Sequence, residues 1–196
     1  MAKKIAVPKI TGGPNTALLV IDVQWGLFRQ KTPIYQAEQL LKNIHTLARK
    51  AHLAGAPVVY VQHSSDRGLV LGSSAWQLHP RLNPLPEDLH IDKLQGDAFE
   101  ETPLLEELEK LQVGRVVTCG LVTHGCVRAT TLGALARGYR VVLAGDTHSS
   151  FSKDAAKLIA QWNAKLAEAG AEVCPAAEIE FGGEGDKGQG LNNHAY

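Results

Sequence analysis

The chain has no excess charge of either sign, no long apolar run and few cysteines. Its 196 residues include 20 basic and 20 acidic side chains, so the formal net charge is zero. This balance argues against a nucleic-acid or membrane-surface partner, because both select basic surfaces. Apolar runs such as Ala17–Ile21 fall far short of the roughly 20 residues that span a bilayer. Three widely spaced cysteines do not form a disulfide framework.

The first eight residues lack the apolar stretch of roughly 7–15 residues that a signal peptide needs. Together with the small number of cysteines, this predicts a protein of the reducing cytoplasm. The length and the 44% hydrophobic content suit one globular domain. We expect this domain to cover residues 1–181. The glycine-rich tail, residues 182–196, is expected to be flexible or to lie as an arm against a neighbouring subunit.

Short apolar strands alternate with helices along the chain. The sequence predicts six strands, over residues 17–22, 57–62, 89–93, 115–119, 139–145 and 172–175. It predicts helices over residues 35–54, 102–111, 125–137 and 152–169, the second of them capped by Thr102. This alternation predicts a three-layer α/β/α, Rossmann-like fold: a mostly parallel six-stranded sheet with helices on both faces.

Polar side chains lie at or just beyond the ends of several predicted strands. They are Asp22, His63, Lys93, Cys126 and Asp146. Ligands of parallel α/β sheets bind outside the carboxyl ends of the strands, so we expect one cluster there. Asp146 differs from the other four in its expected role, since an acid at this place more often orders a loop than takes part in catalysis. The segment 64–86 is predicted to be an irregular loop over the site.

Cys126 is the main candidate for chemistry. Its predicted place is the first turn of helix 125–137, where free N–H groups and the helix dipole stabilise a thiolate. The same N–H groups can hold an oxyanion once sulfur attacks a carbonyl. The alternative is a buried structural cysteine, which is how we interpret Cys119 and Cys174.

Three segments together resemble the isochorismatase-like cysteine hydrolases. This superfamily includes nicotinamidases, carbamoylsarcosine and maleamate amidases, ureidoacrylate and biuret hydrolases, and isochorismatases. The matching segments read ALLVIDVQ over residues 17–24, IDKLQGDAFEETPL over 91–104 and VTCGLVTHGCVRAT over 117–130. The chain departs from the family pattern at His124 and Gly125, where many relatives carry a polar or acidic residue and an aromatic. Glycine there leaves space that could widen the pocket.

The resemblance implies a catalytic triad of Asp22, Lys93 and Cys126. A free thiol is mostly protonated at neutral pH, so Asp22 would accept its proton while Lys93 stabilises the negative charge. The N–H groups of Val122 and Cys126 would form the oxyanion hole, and the Leu121–Val122 peptide would be cis. The implied activity is cleavage of a C–N bond in a small amide, carbamoyl or ureido compound through a thioester. Relatives commonly form homodimers or homotetramers, and we expect the same here.

Substrate contacts are expected from side chains near these motifs and from the covering loop. The candidates are Gln24, Trp25, Phe28, His63, Trp76, Thr123 and His124. Nicotinamidases carry metal ligands after the second strand, but here His63 alone matches, with His79 a distant candidate. We therefore expect no metal and no cofactor. Two alternatives stay open: a metal-dependent nicotinamidase, and a non-enzymatic binding protein on the same fold.

Overall fold

The structure, a computed structural model, describes residues 15–182 and contains a single six-stranded sheet. Its strands are β1 (Asn15–Ile21), β2 (Val58–His63), β3 (Leu89–Lys93), β4 (Val113–Leu121), β5 (Arg140–Ser149) and β6 (Glu172–Cys174). They lie in the order β3-β2-β1-β4-β5-β6, and every neighbouring pair is parallel. The predicted sheet is confirmed, and among the described strands it is entirely rather than mostly parallel.

Four α-helices cover the two faces of this sheet within the described residues. They are α1 (Ala37–Leu53), α2 (Leu104–Lys110), α3 (Arg128–Arg137) and α4 (Ala155–Glu168). The apolar residues of α1 recur at helical spacing and pack on one face, together with the segment 176–181. Helices α2, α3 and α4 pack on the other face. The three-layer α/β/α architecture is therefore confirmed.

The central strand β1 shows why the sheet needs both layers. Its apolar residues alternate between the two cores: Leu18 and Val20 face α1, while Leu19 and Ile21 face the opposite layer. All four side chains are fully buried. A strand that is apolar on both faces is stable only at the centre of a sheet whose two faces are both covered by helices. Polar residues can then lie only at its ends, as Asp22 does just after β1.

Several predicted element ends differ from the structure, among them the start of α2 and the end of β5. Helix α2 begins at Leu104 with Pro103 at its N-cap, not Thr102. The hydroxyl of Thr102 still accepts a hydrogen bond from the Leu104 N–H at 3.3 Å. Strand β5 does not end at Gly145 but continues to Ser149, because its last residues pair with an equally extended β4.

Asp146 consequently lies inside β5 and not at a strand end. Its carboxylate accepts hydrogen bonds from the backbone N–H of Ala176 and from the hydroxyl of Thr147, each at 2.9 Å. These contacts fix the short 3-10 turn Ala176–Glu178 against the sheet. The expected role of Asp146 in ordering a loop fits this geometry.

None of the helices in residues 15–182 has the length and apolar character needed to cross a bilayer. The predicted tail falls beyond the described part of the chain, except for its first residue, Gly182.

Candidate active site

The carboxyl ends of β1, β2 and β3 bring three polar side chains together. Asp22 directly follows β1, while His63 and Lys93 are the last residues of β2 and β3. His63 and Lys93 are register partners in the β2–β3 pair. The backbone N–H of Asp22 donates to the carbonyl of Val61 in β2 at 2.9 Å. Backbone pairing therefore makes neighbours of three residues that are far apart in the sequence.

Lys93 is the centre of this cluster. Its Nζ donates to Asp22 Oδ2 at 3.0 Å and to the Gln95 carbonyl at 3.1 Å, and it lies 3.2 Å from His63 Nδ1. An ammonium group has three donors and no acceptor, so the imidazole nitrogen that it meets carries no proton. Burial, and then the positive charge of Lys93, lowers the pKa of His63. His63 is therefore a neutral imidazole at neutral pH.

Asp22 is a buried carboxylate with one oxygen available. Its backbone has φ 51°, a left-handed conformation that Asp tolerates better than most residues. The side chain is buried, and within the described part of the chain Oδ1 accepts no hydrogen bond. Burial raises the pKa of Asp22 above its usual range, and Lys93 opposes that shift. A carboxylate with a raised pKa and a free oxygen is suited to accept a proton.

The nucleophile loop, residues 121–127, begins where β4 ends against Asp22. The Leu121–Val122 peptide is cis, as the resemblance implied. Gly120, just before the loop, has φ 116°, and a Cβ at this position would clash with the carbonyl oxygen of Ile21. Glycine thus allows β4 to approach β1 closely enough to bring the loop beside the carboxylate.

Cys126 does not lie in the first turn of an α-helix. Residues Thr123–Val127 form a π-helical turn, and α3 begins only at Arg128. Gly125 breaks the helical geometry inside this turn, with φ −107° and ψ −112°. The predicted helix start at residue 125 is therefore wrong, because the backbone of Gly125 is not helical and α3 begins only at Arg128.

The structure does not favour a resting thiolate at Cys126. Burial and the negative charge of Asp22 raise the pKa of Cys126 to about 12, although Lys93 opposes them. The expected position at a helix N terminus is not found, since Cys126 precedes the first residue of α3. The reactive atoms of Asp22, His63 and Cys126 nevertheless lie within 4.8 Å of one another. The thiol of Cys126 therefore has the carboxylate of Asp22 close to it, and their catalytic roles stay a prediction.

A divalent metal fits this cluster poorly. Within residues 15–182, the one group of potential metal ligands is Asp22, His63 and Cys126. The ammonium group of Lys93 already contacts Asp22 Oδ2 and His63 Nδ1, so a second cation would compete for the same atoms. His79 lies elsewhere, with Nδ1 accepting the Arg81 N–H at 3.3 Å. We assign no chemical step to a metal.

The predicted loop 64–86 is held against the segment that follows β1. Trp25 N–H donates to the Gln77 carbonyl and His79 N–H to the Val23 carbonyl, both at 2.8 Å. Gln24 reinforces this contact from a fully buried position. Its amide donates to the carbonyls of His63 and Trp76 and accepts the His63 N–H. The loop therefore meets the same edge of the sheet as the triad.

The remaining predicted substrate residues have different surroundings. Trp25 and Phe28 lie in the 3-10 turn Trp25–Arg29, and their rings pack on His79 at centroid distances of 5.3 and 4.4 Å. Thr123 is buried, whereas His124 is exposed. Trp76 is half-buried, and its indole N–H has no partner among the described residues. Substrate contact by these residues stays a prediction.

Two features of the site were not predicted. The Gln95 carbonyl is one of the three acceptors around Lys93, and Gln24 binds backbone groups of the covering loop. No sequence signal identifies the first, because any residue supplies a carbonyl. The second has a weak signal, since a polar residue two positions after Asp22 needs buried partners.

Comparison with known proteins agrees with this geometry. A family model described as the isochorismatase domain matches residues 16–178. A streptothricin hydrolase of Streptomyces noursei is 34% identical over 171 residues, covering 86% of this chain and 68% of that protein. Nicotinamidase 3 of Arabidopsis thaliana is 27% identical over 161 residues, covering 72% of this chain and 78% of that protein.

A solved structure supports the same assignment. The crystal structure of an isochorismatase from Pseudomonas putida KT2440 superposes with a TM-score of 0.77 at 27% identity. The match covers 88% of this chain and 93% of that one. Taken with the domain match over nearly the whole described chain, these similarities show that the protein is a hydrolase of the isochorismatase family.

Proposed function

We propose that the protein is a metal-independent cysteine hydrolase that cleaves a C–N bond of a small amide, carbamoyl or ureido compound. The observation that supports this most directly is the meeting of Asp22, Lys93 and Cys126 at the carboxyl edge of the sheet. A binding protein on the same fold would have no use for a buried ion pair beside a half-buried thiol. Burying such a pair is costly, and a fold gains little stability from it.

The first step is attack by the thiol on the substrate carbonyl. Cys126 is protonated at neutral pH because of its raised pKa, so sulfur attacks as its proton moves to Asp22. The raised pKa of Asp22 makes the carboxylate a stronger base than an exposed aspartate. The ammonium group of Lys93, 3.0 Å from Asp22 Oδ2, stabilises negative charge that develops nearby.

The tetrahedral oxyanion is held by the N–H group of Val122, just before the π-helical turn, and by that of Cys126 within the turn. Asp22 then returns its proton to the nitrogen of the leaving group, and the C–N bond breaks. Ammonia or an amine leaves, and the acyl group remains on sulfur as a thioester. Water, activated by Asp22, hydrolyses the thioester and restores the thiol.

The substrate class follows from this chemistry and from one relative. A thiol can displace a nitrogen leaving group from a carbonyl only if the nitrogen is protonated as it departs, and Asp22 is placed to supply that proton. The relative from Arabidopsis thaliana is by its name a nicotinamidase, and nicotinamide is a primary amide. We therefore place the substrate among small amides and their carbamoyl and ureido analogues.

The test is a screen for release of ammonia or amine over a panel of amide, carbamoyl and ureido compounds. Cys126→Ser should reduce turnover of any positive compound by at least about 10⁴-fold, because it removes the attacking sulfur. Cys174→Ser is the matched control, since that half-buried cysteine lies at the end of β6. It should leave turnover within about twofold.

Iodoacetamide labelling provides a second, substrate-independent measurement. Cys126 should be alkylated well before Cys119, which is fully buried in β4. Full turnover by Cys126→Ser, or labelling of Cys119 first, would contradict the proposal.

A further inference from the structure

Strand β5 has a bulge beside the nucleophile loop. Thr118 of β4 pairs with Leu143 of β5, and two residues later Gly120 pairs with His148. Between these pairs one β4 residue therefore faces the four β5 residues 144–147. The bulge moves His148 to the level at which β4 ends. Bulges commonly redirect side chains next to active sites.

Two asparagines from opposite helix layers bind the carbonyls of this bulge. Asn163 of α4 donates from Nδ2 to the Gly145 carbonyl at 2.9 Å. Asn43 of α1 donates from Nδ2 to the Asp146 carbonyl at 3.0 Å. Two of the bulge carbonyls thus accept hydrogen bonds from opposite faces of the sheet, which stabilises the shape of the bulge.

Asn163 also contacts His148, which in turn contacts the nucleophile loop. His148 Nε2 lies 2.7 Å from Asn163 Oδ1, and His148 Nδ1 lies 2.9 Å from the hydroxyl oxygen of Thr123. The amide group of Asn163 donates to Gly145, so its oxygen must accept from His148 Nε2–H. A neutral imidazole then has an unprotonated Nδ1, and the Thr123 hydroxyl must donate to it.

These contacts form a one-way chain of hydrogen bonds from Thr123 through His148 and Asn163 to the bulge. Thr123 is 1% exposed and His148 is 3% exposed, so water does not compete for them. Burial lowers the pKa of His148, against the opposing influences of Asn163 and Asp146. The imidazole is therefore in the neutral form that this chain requires.

We infer that His148 is a positioning residue that acts through Thr123 to hold the nucleophile loop, and with it Cys126, beside Asp22. Thr123 lies three residues before Cys126 in the same π-helical turn. Its hydroxyl is fixed to β5, so the turn cannot shift without breaking a buried hydrogen bond. This inference rests on the proposed role of Cys126 as the nucleophile.

The test measures the rate at which iodoacetamide alkylates Cys126, which requires no substrate. Thr123→Val keeps the side-chain shape but removes the hydroxyl, and it should slow alkylation about tenfold, the usual scale of a buried hydrogen bond. Thr123→Ser keeps the hydroxyl and should remain within about twofold of the wild type. Thr118→Val is the matched control, because it removes an equally buried hydroxyl from β4 that bonds to Thr131 instead.

A double-mutant cycle tests whether Thr123 and His148 act together. His148→Phe should slow alkylation as Thr123→Val does, and the combined variant should be no slower than the slower single variant. Losses that multiply, or a Thr123→Val variant as fast as Thr118→Val, would overturn the inference. If no compound in the hydrolysis panel is cleaved while these rates behave as expected, the proposed function fails and the positioning role stands.

The position of the proton on the His148 ring can be measured independently of activity and stability. Nitrogen NMR of the labelled wild type should show the His148 proton on Nε2 and an unprotonated, hydrogen-bonded Nδ1. Thr123→Val should shift the Nδ1 resonance, whereas Thr118→Val should not. A proton on Nδ1 in the wild type would overturn the inference.

Discussion

The proposed chemistry depends on the protonation states of Asp22 and Cys126, which burial and the charge of Lys93 shift in opposite directions. Burial raises the pKa of both Asp22 and Cys126, while the positive charge of Lys93 lowers both. Burial dominates, so the thiol keeps its proton at neutral pH. A mechanism in which the proton leaves sulfur during the attack is therefore favoured over one in which a thiolate is present before the substrate binds.

Removing the charge of Lys93 should therefore move two protonation equilibria in the same direction. In Lys93→Met the pKa of Asp22 and that of Cys126 both rise, so less of the carboxylate is ionised at a given acidic pH. The acidic limb of the pH–rate profile should shift to higher pH. Turnover at neutral pH should fall about 10²-fold or more. Alkylation of Cys126 measured across pH checks the shift.

Lys110→Met is the control for this experiment. Lys110 pairs with Glu107 on the exposed surface of α2. Its replacement should leave the pH–rate profile unchanged. A Lys93→Met variant that folds normally by circular dichroism and keeps the wild-type profile would show that Lys93 does not tune the site.

At the scale of elements, the site depends on the close approach of β1 and β4. Ile21 and Gly120 are register partners, and Asp22 and the nucleophile loop follow them directly. The positive φ of Gly120 and its contact with the Ile21 backbone leave no room for a side chain. The same close approach thus brings Asp22 and the loop that carries Cys126 together.

Gly120→Ala should lower the free energy of unfolding by about 3 kcal/mol or more, because the new methyl group meets backbone rather than a flexible side chain. Urea denaturation followed by circular dichroism measures the change. Hydrolysis should be lost in the remaining folded fraction, since β4 must move away from Asp22.

Gly55→Ala is the control that measures the cost of a positive φ without the steric clash that Gly120→Ala introduces. Gly55 also has a positive φ, of 64°, but no atom lies within 4 Å of the added carbon. Its cost should stay near 1 kcal/mol. An equal loss in the free energy of unfolding for Gly55→Ala and Gly120→Ala would refute the explanation that Gly120 is needed for the close contact between β4 and β1.

At the scale of the whole molecule, the site is assembled by the order of the strands. Strand β1 lies between β2 and β4, so its acid is flanked by His63 on one side and the nucleophile loop on the other. Lys93 reaches the cluster from β3, one strand further out. Assembly as a homo-oligomer, which the family resemblance implied, stays a prediction.

Dialysis against a strong chelator should leave hydrolysis unchanged. The ammonium group of Lys93 occupies the atoms of Asp22 and His63 that a divalent ion would need. Elemental analysis before and after dialysis, with activity measured on the same samples, makes the test. Stoichiometric zinc, iron or manganese that leaves together with activity would favour the nicotinamidase alternative.

The sequence alone determined the layers and the parallel sheet, because its apolar periodicity and its Gly and Pro positions encode these features locally. The proposed triad of Asp22, Lys93 and Cys126 came from the family resemblance, which three short contiguous motifs carry. The cis peptide at Leu121–Val122 was predicted through the same resemblance.

Tertiary structure alone decided the protonation of Cys126, the π-helical turn around it and the bulge that brings His148 to Thr123. A pKa depends on burial and on charges from other strands, which no local pattern contains. The length of β5 depends on the extent of its partner β4, so the predicted end at Gly145 fell short. Hydrogen bonds between distant side chains exist only once the sheet has brought their strands and helices together.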